Sequence, residues 1–350
     1  MQSFGKPNRE YFQTVIFPRL GARRSEVLVG PEFGVDNSVL DIGSGKVLVA
    51  TTDPLSFIPK LGPRDSAWLS VNLLASDLTT SGFSPQYGIF DFNLPVAMNS
   101  RSFTEYWRAF HGECLRLGIS IVGGHTGRYQ GCDYTVIGGG TMCAIGAKDR
   151  YLTSVMGETN DDIILTKGAA IETTAVLARS FPKTVRRVLG PRLFERATRY
   201  LRKVTTVRDA LTAVSVGVHR EGVTSMHDAT EGGIVGAVLE LAGAAGLGAE
   251  LDLRTIPVSQ ETEEICKFFE IDPLSSLSEG SLIITCKPSR TRRVLDRLNS
   301  ARIESRVIGQ LSSKARQVYG TSGKGRIRMK YPKSDPYWKA YWKATQKRWT

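Results

Sequence analysis

One segment of the chain reads His227-Asp228-Ala229-Thr230-Glu231-Gly232-Gly233 and leads directly into an apolar stretch, rich in Ala and Gly, that ends at Ala245. The apolar pattern predicts a helix packed closely on a sheet. Thr230 or Asp228 can cap this helix, and the N–H groups of its first turn, with Gly232 and Gly233, can hold an anion. Capping accounts for Thr230 but not for two acids and a histidine in one short segment.

A similar order of strand, turn and helix is predicted earlier in the chain. Ile163 to Leu165 reads as a buried strand and Glu172 to Arg179 as a helix, with Lys167-Gly168 as the turn between them. Lys167 and Gly168 are therefore candidates for cofactor binding. The pattern is less persuasive than the first, because Ala169 and Ala170 stand where a phosphate loop favours Gly.

Three aspartates of the first half lie at predicted strand ends or on a predicted helix, where their carboxylates can converge. They are Asp36, Asp53 and Asp77. Hard cations such as Mg²⁺ prefer oxygen ligands and usually sit between one or two carboxylates and substrate phosphates. The set is therefore a candidate metal site, although each aspartate taken alone is better explained by helix capping or a turn.

A Gly-rich motif, Gly123-Gly124-His125-Thr126, follows the predicted strand Ile119 to Val122 and predicts a tight turn. Paired Gly residues let backbone N–H groups approach an anion, and the Thr126 hydroxyl can add a donor. His125 can donate a hydrogen bond or ligate a metal, and it is equally explained as an ordinary hydrogen-bonded histidine.

Length and composition favour two domains. The chain has 350 residues and a mass of 38.4 kDa, and its hydrophobic content of 41% is enough for packed cores. Strands and helices alternate in both halves, which predicts an α/β (α+β) fold. The stretch from Lys148 to Asn160 is polar and irregular, so we expect domains at 1–155 and 156–310, followed by a C-terminal extension at 311–350.

The formal net charge of +12 is concentrated in that extension. From Leu311 to Thr350 there are 11 basic residues and one acid, Asp335, so this stretch carries +10 and the preceding 310 residues carry +2. Its aromatic residues, interleaved with Lys and Arg, can stack on the bases of a nucleic acid, and its charge also suits an acidic protein. Four of them, at 337, 338, 341 and 342, form a helical stripe, which favours docking of a short helix on the protein's own surface.

Several classes of protein are excluded. No apolar run approaches the ~20 residues that span a bilayer, and the N-terminus lacks the apolar core of an export signal, so we expect a cytoplasmic protein with no membrane partner. The five cysteines have no Cys-x-x-Cys spacing, which argues against a disulfide framework and a structural zinc site and favours buried thiols.

Taken in order, these motifs resemble the aminoimidazole ribonucleotide (AIR) synthetase, or PurM-like, superfamily, which includes thiamine monophosphate kinase, selenophosphate synthetase and the hydrogenase maturation protein HypE. The resemblance covers roughly residues 1–310 and rests on the segments 34–39, 51–53, 76–82, 123–126 and 227–233. The stretch from Ile256 to Cys286 is most similar to the HypE branch.

The resemblance implies a PurM-like two-domain fold, with an N-terminal domain that forms a β-barrel across a homodimer and a C-terminal α/β domain. It also implies ATP and Mg²⁺ between the domains. Asp36, Asp53 and Asp77 then stand at the metal positions, and the candidate nucleotide contacts are Gly123, Gly124, Thr126, Lys167, Gly168, Thr230, Gly232 and Gly233. The candidate catalytic residues are Asp228, Glu231 and His125.

The implied activity is phosphorylation or activation, by Mg·ATP, of a carbonyl or amide oxygen on an unknown small molecule. The alternatives are a thiamine monophosphate kinase-like phosphotransferase and a nucleotide-binding scaffold with a basic docking tail. HypE proteins end in a reactive cysteine, whereas this sequence ends Lys347-Arg348-Trp349-Thr350 and its last cysteine is Cys286, so dehydration on a terminal cysteine is not expected. Selenium chemistry is not expected either, because the first cysteine is Cys114. His125 stands where relatives have Asp or Glu, which leaves the number of metals open.

Overall fold

The first half of the chain is a twisted sheet with two long helices on one face. A computed structural model describes residues 6–7, 9–314 and 316–350. The strands of this half are β1 (Val27–Val29), β2 (Ser38–Gly43), β3 (Lys46–Ser56), β4 (Tyr87–Pro95), β5 (Ser120–Tyr129) and β6 (Val136–Ala147), and its helices are α1 (Arg9–Tyr11), α2 (Gly62–Thr79) and α3 (Ser100–Leu117). In the described part of the chain these strands are ordered β1-β2-β3-β6-β4-β5.

Local sequence signals explain the helix bounds. Helix α3 begins at Ser100, because the side chain of Asn99 accepts a hydrogen bond from the N–H of Ser102 and caps the first turn. It ends at Gly118, whose φ of 74° places it in the left-handed region that favours glycine. Helix α2 begins beside Pro63, which is favoured in the first turn of a helix.

The two faces of the first sheet differ. Phe90 and Phe92 of β4 point toward α2 and α3 and are buried in the core. The alternate residues, Tyr87 and Ile89, point to the opposite face and are exposed. Neither sheet closes into a barrel within the described residues of one chain, so the expected barrel is one that a second copy would have to complete.

The second half contains a larger sheet with helices on both sides. Its strands are β7 (Asp162–Thr166), β8 (Val223–Asp228), β9 (Gly248–Asp252), β10 (Leu282–Cys286), β11 (Ser305–Ser312), β12 (Val318–Ser322) and β13 (Gly325–Arg328). Its helices are α4 (Ile171–Ser180), α5 (Pro182–Leu189), α6 (Pro191–Arg199), α7 (Val207–Val214), α8 (Gly233–Ala244), α9 (Gln260–Phe269), α10 (Pro288–Ser300) and α11 (Pro336–Gln346). In the described residues the strand order is β13-β12-β9-β11-β7-β10-β8, and the mixed α/β architecture predicted from the sequence is confirmed.

Residues 311–350 continue this second half. β12 pairs in parallel with β9, and β13 pairs with β12 as the edge of the sheet. Tyr337 and Tyr341 of α11 are buried in one hydrophobic cluster. The cluster also contains Phe181, which lies between α4 and α5, and Phe269 of α9. The prediction that the aromatic stripe docks on the protein's own surface is therefore confirmed. No helix among the described residues is both long and apolar enough to cross a membrane.

Candidate functional site

Aspartates from both halves meet where the end of α2 approaches β8. Asp77 lies in the last turn of α2, Asp36 precedes β2, and Asp228 is the last residue of β8. The hydroxyl of Thr51, in β3, connects Asp36 and Asp77. It donates to the backbone carbonyl of Asp36 at 2.9 Å and lies 3.3 Å from Oδ2 of Asp77. Three atoms that could ligate a metal lie within 4.8 Å of one another: a carboxylate oxygen of Asp36, a ring nitrogen of His227 and a carboxylate oxygen of Asp228. The structure thus brings together side chains that the sequence separates by almost two hundred positions.

His227 joins the two halves through buried charge. Its Nδ1 lies 2.7 Å from Oδ1 of Asp36, and its Nε2 lies 2.9 Å from Oε2 of Glu240 in α8. Burial alone would lower the pKa of His227, but the adjacent carboxylates, Asp36 first, raise that pKa well above its usual range. Burial alone would raise the pKa of Glu240, but the hydrogen bond from His227 lowers that pKa below its usual value. Because both ring nitrogens face carboxylates, His227 is occupied as a bridge between them.

The remaining oxygens of this cluster lack donors. Neither carboxylate oxygen of Asp228 has a hydrogen-bond partner among the described residues, and the same holds for Oδ2 of Asp36. Burial, followed by repulsion from Asp36, raises the pKa of Asp228 to about 7. Burial also raises the pKa of Asp53 to about 7 and that of Asp77 well above its usual range, with repulsion from Asp228 contributing to both. Such a set of buried, unpartnered carboxylates fits a hard cation.

A pocket of about 450 Å³ adjoins the aspartates. Asp53 and Asp77 line it from the first half, and Glu172, Glu231 and Glu279 line it from the second. Glu172 and Glu279 are buried, and one oxygen of each has no partner among the described residues. Burial raises the pKa of Glu172 to about 8 and, together with repulsion from Asp228, raises the pKa of Glu279 well above its usual range. The pocket therefore has room for a small ligand and walls that need cations or hydrogen-bond donors.

Lys6 is the cation at the edge of this pocket. Its Nζ donates to Oγ1 of Thr230 at 3.1 Å and lies 3.7 Å from a carboxylate oxygen of Glu231. Burial by itself lowers the pKa of Lys6, but attraction to Glu231 and other acids raises it well above the usual value. The predicted site residues Thr230 and Glu231 therefore both line the pocket, with an ammonium group between them.

The N-terminus of α8 holds an anion from the same chain. Gly232 and Gly233 have φ values of 81° and 62°, and no side chain of the preceding segment caps the helix, so the predicted capping by Thr230 or Asp228 is wrong. Instead, the N–H of Gly232 donates to Oδ2 of Asp335 at 2.9 Å. Gly233 is needed because a Cβ there would lie 2.7 Å from two backbone carbonyl oxygens.

Lys167 and Gly168 form the predicted turn between β7 and α4, but their contacts are structural. Nζ of Lys167 lies 2.7 Å from Oδ2 of Asp209 and donates to the carbonyl of Thr205 at 2.7 Å. Gly168 packs against the backbone of Pro257. A role for this turn in nucleotide binding stays a prediction.

The Gly123-Gly124-His125-Thr126 motif is not a turn, and that prediction is wrong. These residues lie within β5, which pairs in parallel with β4 at the edge of the first sheet. Glycine is required at 124 because a Cβ there would collide with the backbone of Phe90. His125 is exposed, and its Nε2 lies 2.7 Å from the hydroxyl of Tyr129. The proposed roles of all four residues in catalysis or nucleotide binding stay predictions.

Sequence reasoning missed several residues of the pocket. Glu279 stands between a serine-rich turn and buried strand β10, and Glu172 reads as an ordinary first-turn acid of α4. Asp335, which caps α8, could have been singled out from the sequence, because it is the single acid of a basic segment. Trp338 also lines the pocket, although its position in the aromatic stripe indicates only packing.

Residues 34–145 match the N-terminal domain of AIR synthase related protein, and residues 158–320 match its C-terminal domain. A hydrogenase expression/formation protein of Methanocaldococcus jannaschii is 24% identical over 339 residues, covering 95% of this chain and 96% of the relative. The carbamoyl dehydratase HypE of Escherichia coli is 26% identical over 264 residues, covering 74% of each chain.

Two solved structures extend the comparison to the fold. HypE in complex with ATP superposes with a TM-score of 0.66 at 18% identity, covering 94% of this chain and 93% of that one. AaThiL complexed with AMPPCP and TMP superposes with a TM-score of 0.68 at 16% identity, and the match covers 93% of this chain and 99% of that one. These likenesses show the two-domain PurM-like fold.

Proposed function

The chain belongs to the AIR synthase related protein family, and on that premise we propose that it is an enzyme that uses Mg·ATP to phosphorylate or activate a carbonyl or amide oxygen of a small molecule. The observation that carries the proposal is the set of unpartnered carboxylate oxygens beside a pocket of about 450 Å³. The ATP in the HypE structure and the AMPPCP in the AaThiL structure support a nucleotide as one ligand.

Mg²⁺ fits the aspartate cluster by the chemistry of its donors. Asp36, Asp77 and Asp228 would hold the ion, since two of them have buried oxygens without a partner and all three stand at one junction. A bound Mg²⁺ supplies positive charge that offsets the phosphoryl oxygens during transfer. Asp53 lines the pocket beside this cluster and would add negative charge that attracts the cation. His227 positions Asp36 rather than ligating the metal.

Glu231 is the residue we assign to binding the acceptor or moving its proton. It lines the pocket, its side chain is partly exposed, and Lys6 lies on one side of it. Asp228, the other predicted catalytic acid, would instead serve the metal, because a carboxylate that ligates a cation stays ionised. Lys6 would hold negative charge on the acceptor or the phosphate at the same edge of the pocket.

The exposed face of the first sheet supports a homodimer. Ile42, Tyr87, Ile89 and Ile145 are exposed and share this face through the register of β2, β3, β6 and β4. A contiguous apolar face of this kind is typical of a protein–protein interface. We propose that a second copy of the chain covers it, as the family resemblance implies.

Calorimetry with Asp53→Asn tests nucleotide binding. We expect the wild-type protein to bind Mg·ATP and the variant to bind it at least about tenfold more weakly, because the pocket loses a carboxylate that faces the ion. Asp296→Asn is the matched control, since Asp296 is an exposed acid on α10. Equal affinity of wild type and Asp53→Asn would contradict the proposed site.

Product analysis separates the reaction classes. Protein is incubated with Mg·ATP labelled at the γ-phosphate, a panel of amides, carboxylates and phosphomonoesters, and ammonia as a nucleophile. It should release ADP and free phosphate if it activates an oxygen, because the nucleophile displaces the phosphorylated oxygen as phosphate. ADP with a phosphorylated acceptor would indicate the kinase alternative, and binding without turnover would indicate the scaffold. The scaffold with a nucleic-acid tail has less support, because Tyr337 and Tyr341 are buried against the protein.

A further inference from the structure

We propose that Trp338, in the C-terminal helix α11, contacts the bound nucleotide, and that its indole N–H donates a hydrogen bond to a ring nitrogen of a purine base. The nature of the ligand rests on the proposed function above, whereas the contact itself rests on the geometry of the pocket. Residues 331–350 lie outside the matched family domains, so nothing in the comparisons assigns this residue a role.

The indole N–H is a buried donor without an acceptor. Nε1 of Trp338 is inaccessible to solvent and has no hydrogen-bond partner among the described residues, yet the side chain lines the acidic pocket. Nearly all buried polar groups in folded proteins are paired, and the cavity that the Trp338 side chain lines is where the proposal places the missing acceptor. Because the indole can only donate, that partner must present an acceptor.

The neighbouring groups restrict what the occupant can be. Glu172 and Glu279 line the same pocket, and one oxygen of each also lacks a partner among the described residues. The occupant must therefore offer an acceptor to the indole, and it can pair with either carboxyl group through a second polar atom. An adenine-type edge carries a ring-nitrogen acceptor next to an exocyclic amine donor, and this pair matches the indole N–H and a carboxyl oxygen.

The apolar residues of the pocket agree with a flat ring as part of the occupant. Leu73 and Leu277 line it together with Trp338, and an aromatic side chain provides a stacking surface for any base. Asp53 and Asp77 line the pocket as well, and they belong to the proposed metal site. In the proposed arrangement Trp338 contacts the base, and Asp53 and Asp77 belong to the metal and phosphate site of the same pocket.

The fold holds Trp338 in place. Asp335 caps the first turn of α11 by accepting the N–H of Tyr337 at 2.8 Å, and its other oxygen accepts the N–H of Gly232. The ring centroids of Tyr337 and Trp338 are 5.2 Å apart, so the buried Tyr337 ring packs edge-on against the indole. The helix that carries Trp338 is therefore tied to the same segment that supplies Thr230 and Glu231.

Trp338→Phe keeps a ring at this position and removes the donor. Calorimetric titrations of wild type and variant would use two probes, Mg·AMPPNP and Mg·tripolyphosphate, which lacks a base. We expect the variant to bind AMPPNP about fivefold more weakly, as for the loss of one neutral hydrogen bond, and tripolyphosphate within twofold of wild type. Trp342→Phe, on the same helix at a position that is 41% exposed, is the control and should change neither affinity.

The outcomes separate this inference from the proposed function. Unchanged AMPPNP affinity in Trp338→Phe, or an equal loss for both probes, overturns the contact with the base while leaving nucleotide binding established. Failure of the wild type to bind either probe overturns the proposed function itself, and the inference with it.

A measurement on the wild-type protein guards against misfolding of the variant. The indole N–H of Trp338 should shift in a ¹H–¹⁵N spectrum when Mg·AMPPNP is added and stay in place with Mg·tripolyphosphate. Substituting the other four tryptophans by Phe, one at a time, assigns this signal without altering Trp338. An indole signal of Trp338 that ignores AMPPNP at saturation overturns the inference.

Discussion

The carboxylate of Asp335 accepts a hydrogen bond from the backbone N–H of Gly232, with 2.9 Å between Oδ2 and N. Its second oxygen accepts from the N–H of Tyr337 at 2.8 Å. One side chain therefore caps the first turns of α8 and α11, two helices that are about a hundred residues apart. The anion that the Gly-rich N-terminus of α8 attracts is supplied by the basic C-terminal segment itself.

Removing this carboxylate should loosen both helices. We expect Asp335→Ala to lower the free energy of unfolding by about 2 kcal/mol, because two helix N-termini lose their cap at a buried position. Urea denaturation followed by circular dichroism measures the change. Asp296→Ala, at an exposed position of α10, is the control and should change stability by less than about 0.5 kcal/mol. A comparable effect in both variants would contradict the double cap.

The same residue predicts a pH dependence. Burial raises the pKa of Asp335 to about 6, although the backbone N–H groups of Gly232 and Tyr337 oppose the shift. An aspartate in the unfolded chain has a pKa of about 3.9, so between about pH 4 and pH 6 the folded protein binds more protons than the unfolded one. The stability contributed by protonated Asp335 is therefore lost as the pH rises through this window. The stability of wild type relative to Asp335→Asn should fall by about 3 kcal/mol across that window. Parallel stability curves for the two proteins would contradict the prediction.

Asp228→Asn should separate stability from ligand binding. At pH 8 the Asp228 carboxyl, with a pKa of about 7, is ionised beside other acids and without a donor among the described residues. Replacing it by a neutral amide removes repulsion, so we expect the melting temperature of the ligand-free protein to rise by about 2 °C or more. The stabilisation that Mg·ATP gives the wild type should be lost. A ligand-free variant that melts lower, or one that Mg·ATP still stabilises fully, would argue against the metal site.

His227→Ala tests the bridge between the halves. The substitution leaves Asp36 and Glu240 buried without their shared cation, and breaking a buried ion pair costs about 3–5 kcal/mol. Chemical denaturation should show a loss of this size. His111→Ala, at an exposed position of α3, serves as the control. A loss below about 1 kcal/mol in His227→Ala would show that the bridge contributes little.

Ile89→Asp tests the proposed dimer. Ile89 is 49% exposed on the apolar face of the first sheet, so a charge there should prevent a second copy from covering that face. Light scattering after size exclusion should give about the dimer mass for wild type and the monomer mass for the variant. Val188→Asp, on an exposed position of α5, should leave the mass unchanged. A wild-type protein with the monomer mass would contradict the proposed homodimer.

Local sequence patterns predicted several of the helices and strands, because these depend on periodicity and on nearby caps. The predicted strand from Ile163 to Leu165 lies in β7, and the helix predicted from Gly233 is α8. The pattern failed at Gly123-Gly124, where paired glycines indicate a turn. Those glycines instead allow β5 to lie close to the backbone of β4, a requirement that only the pairing of two strands imposes.

The sequence by itself determined the elements of this protein, its three separated aspartates and the uneven placement of its charge. Only the tertiary structure decided which of these groups meet. His227 pairs with Asp36 across 191 positions and Asp335 caps Gly232 across 103. Such contacts depend on the order of strands in the sheets and on how the two halves pack, and neither is encoded in the spacing of neighbouring residues.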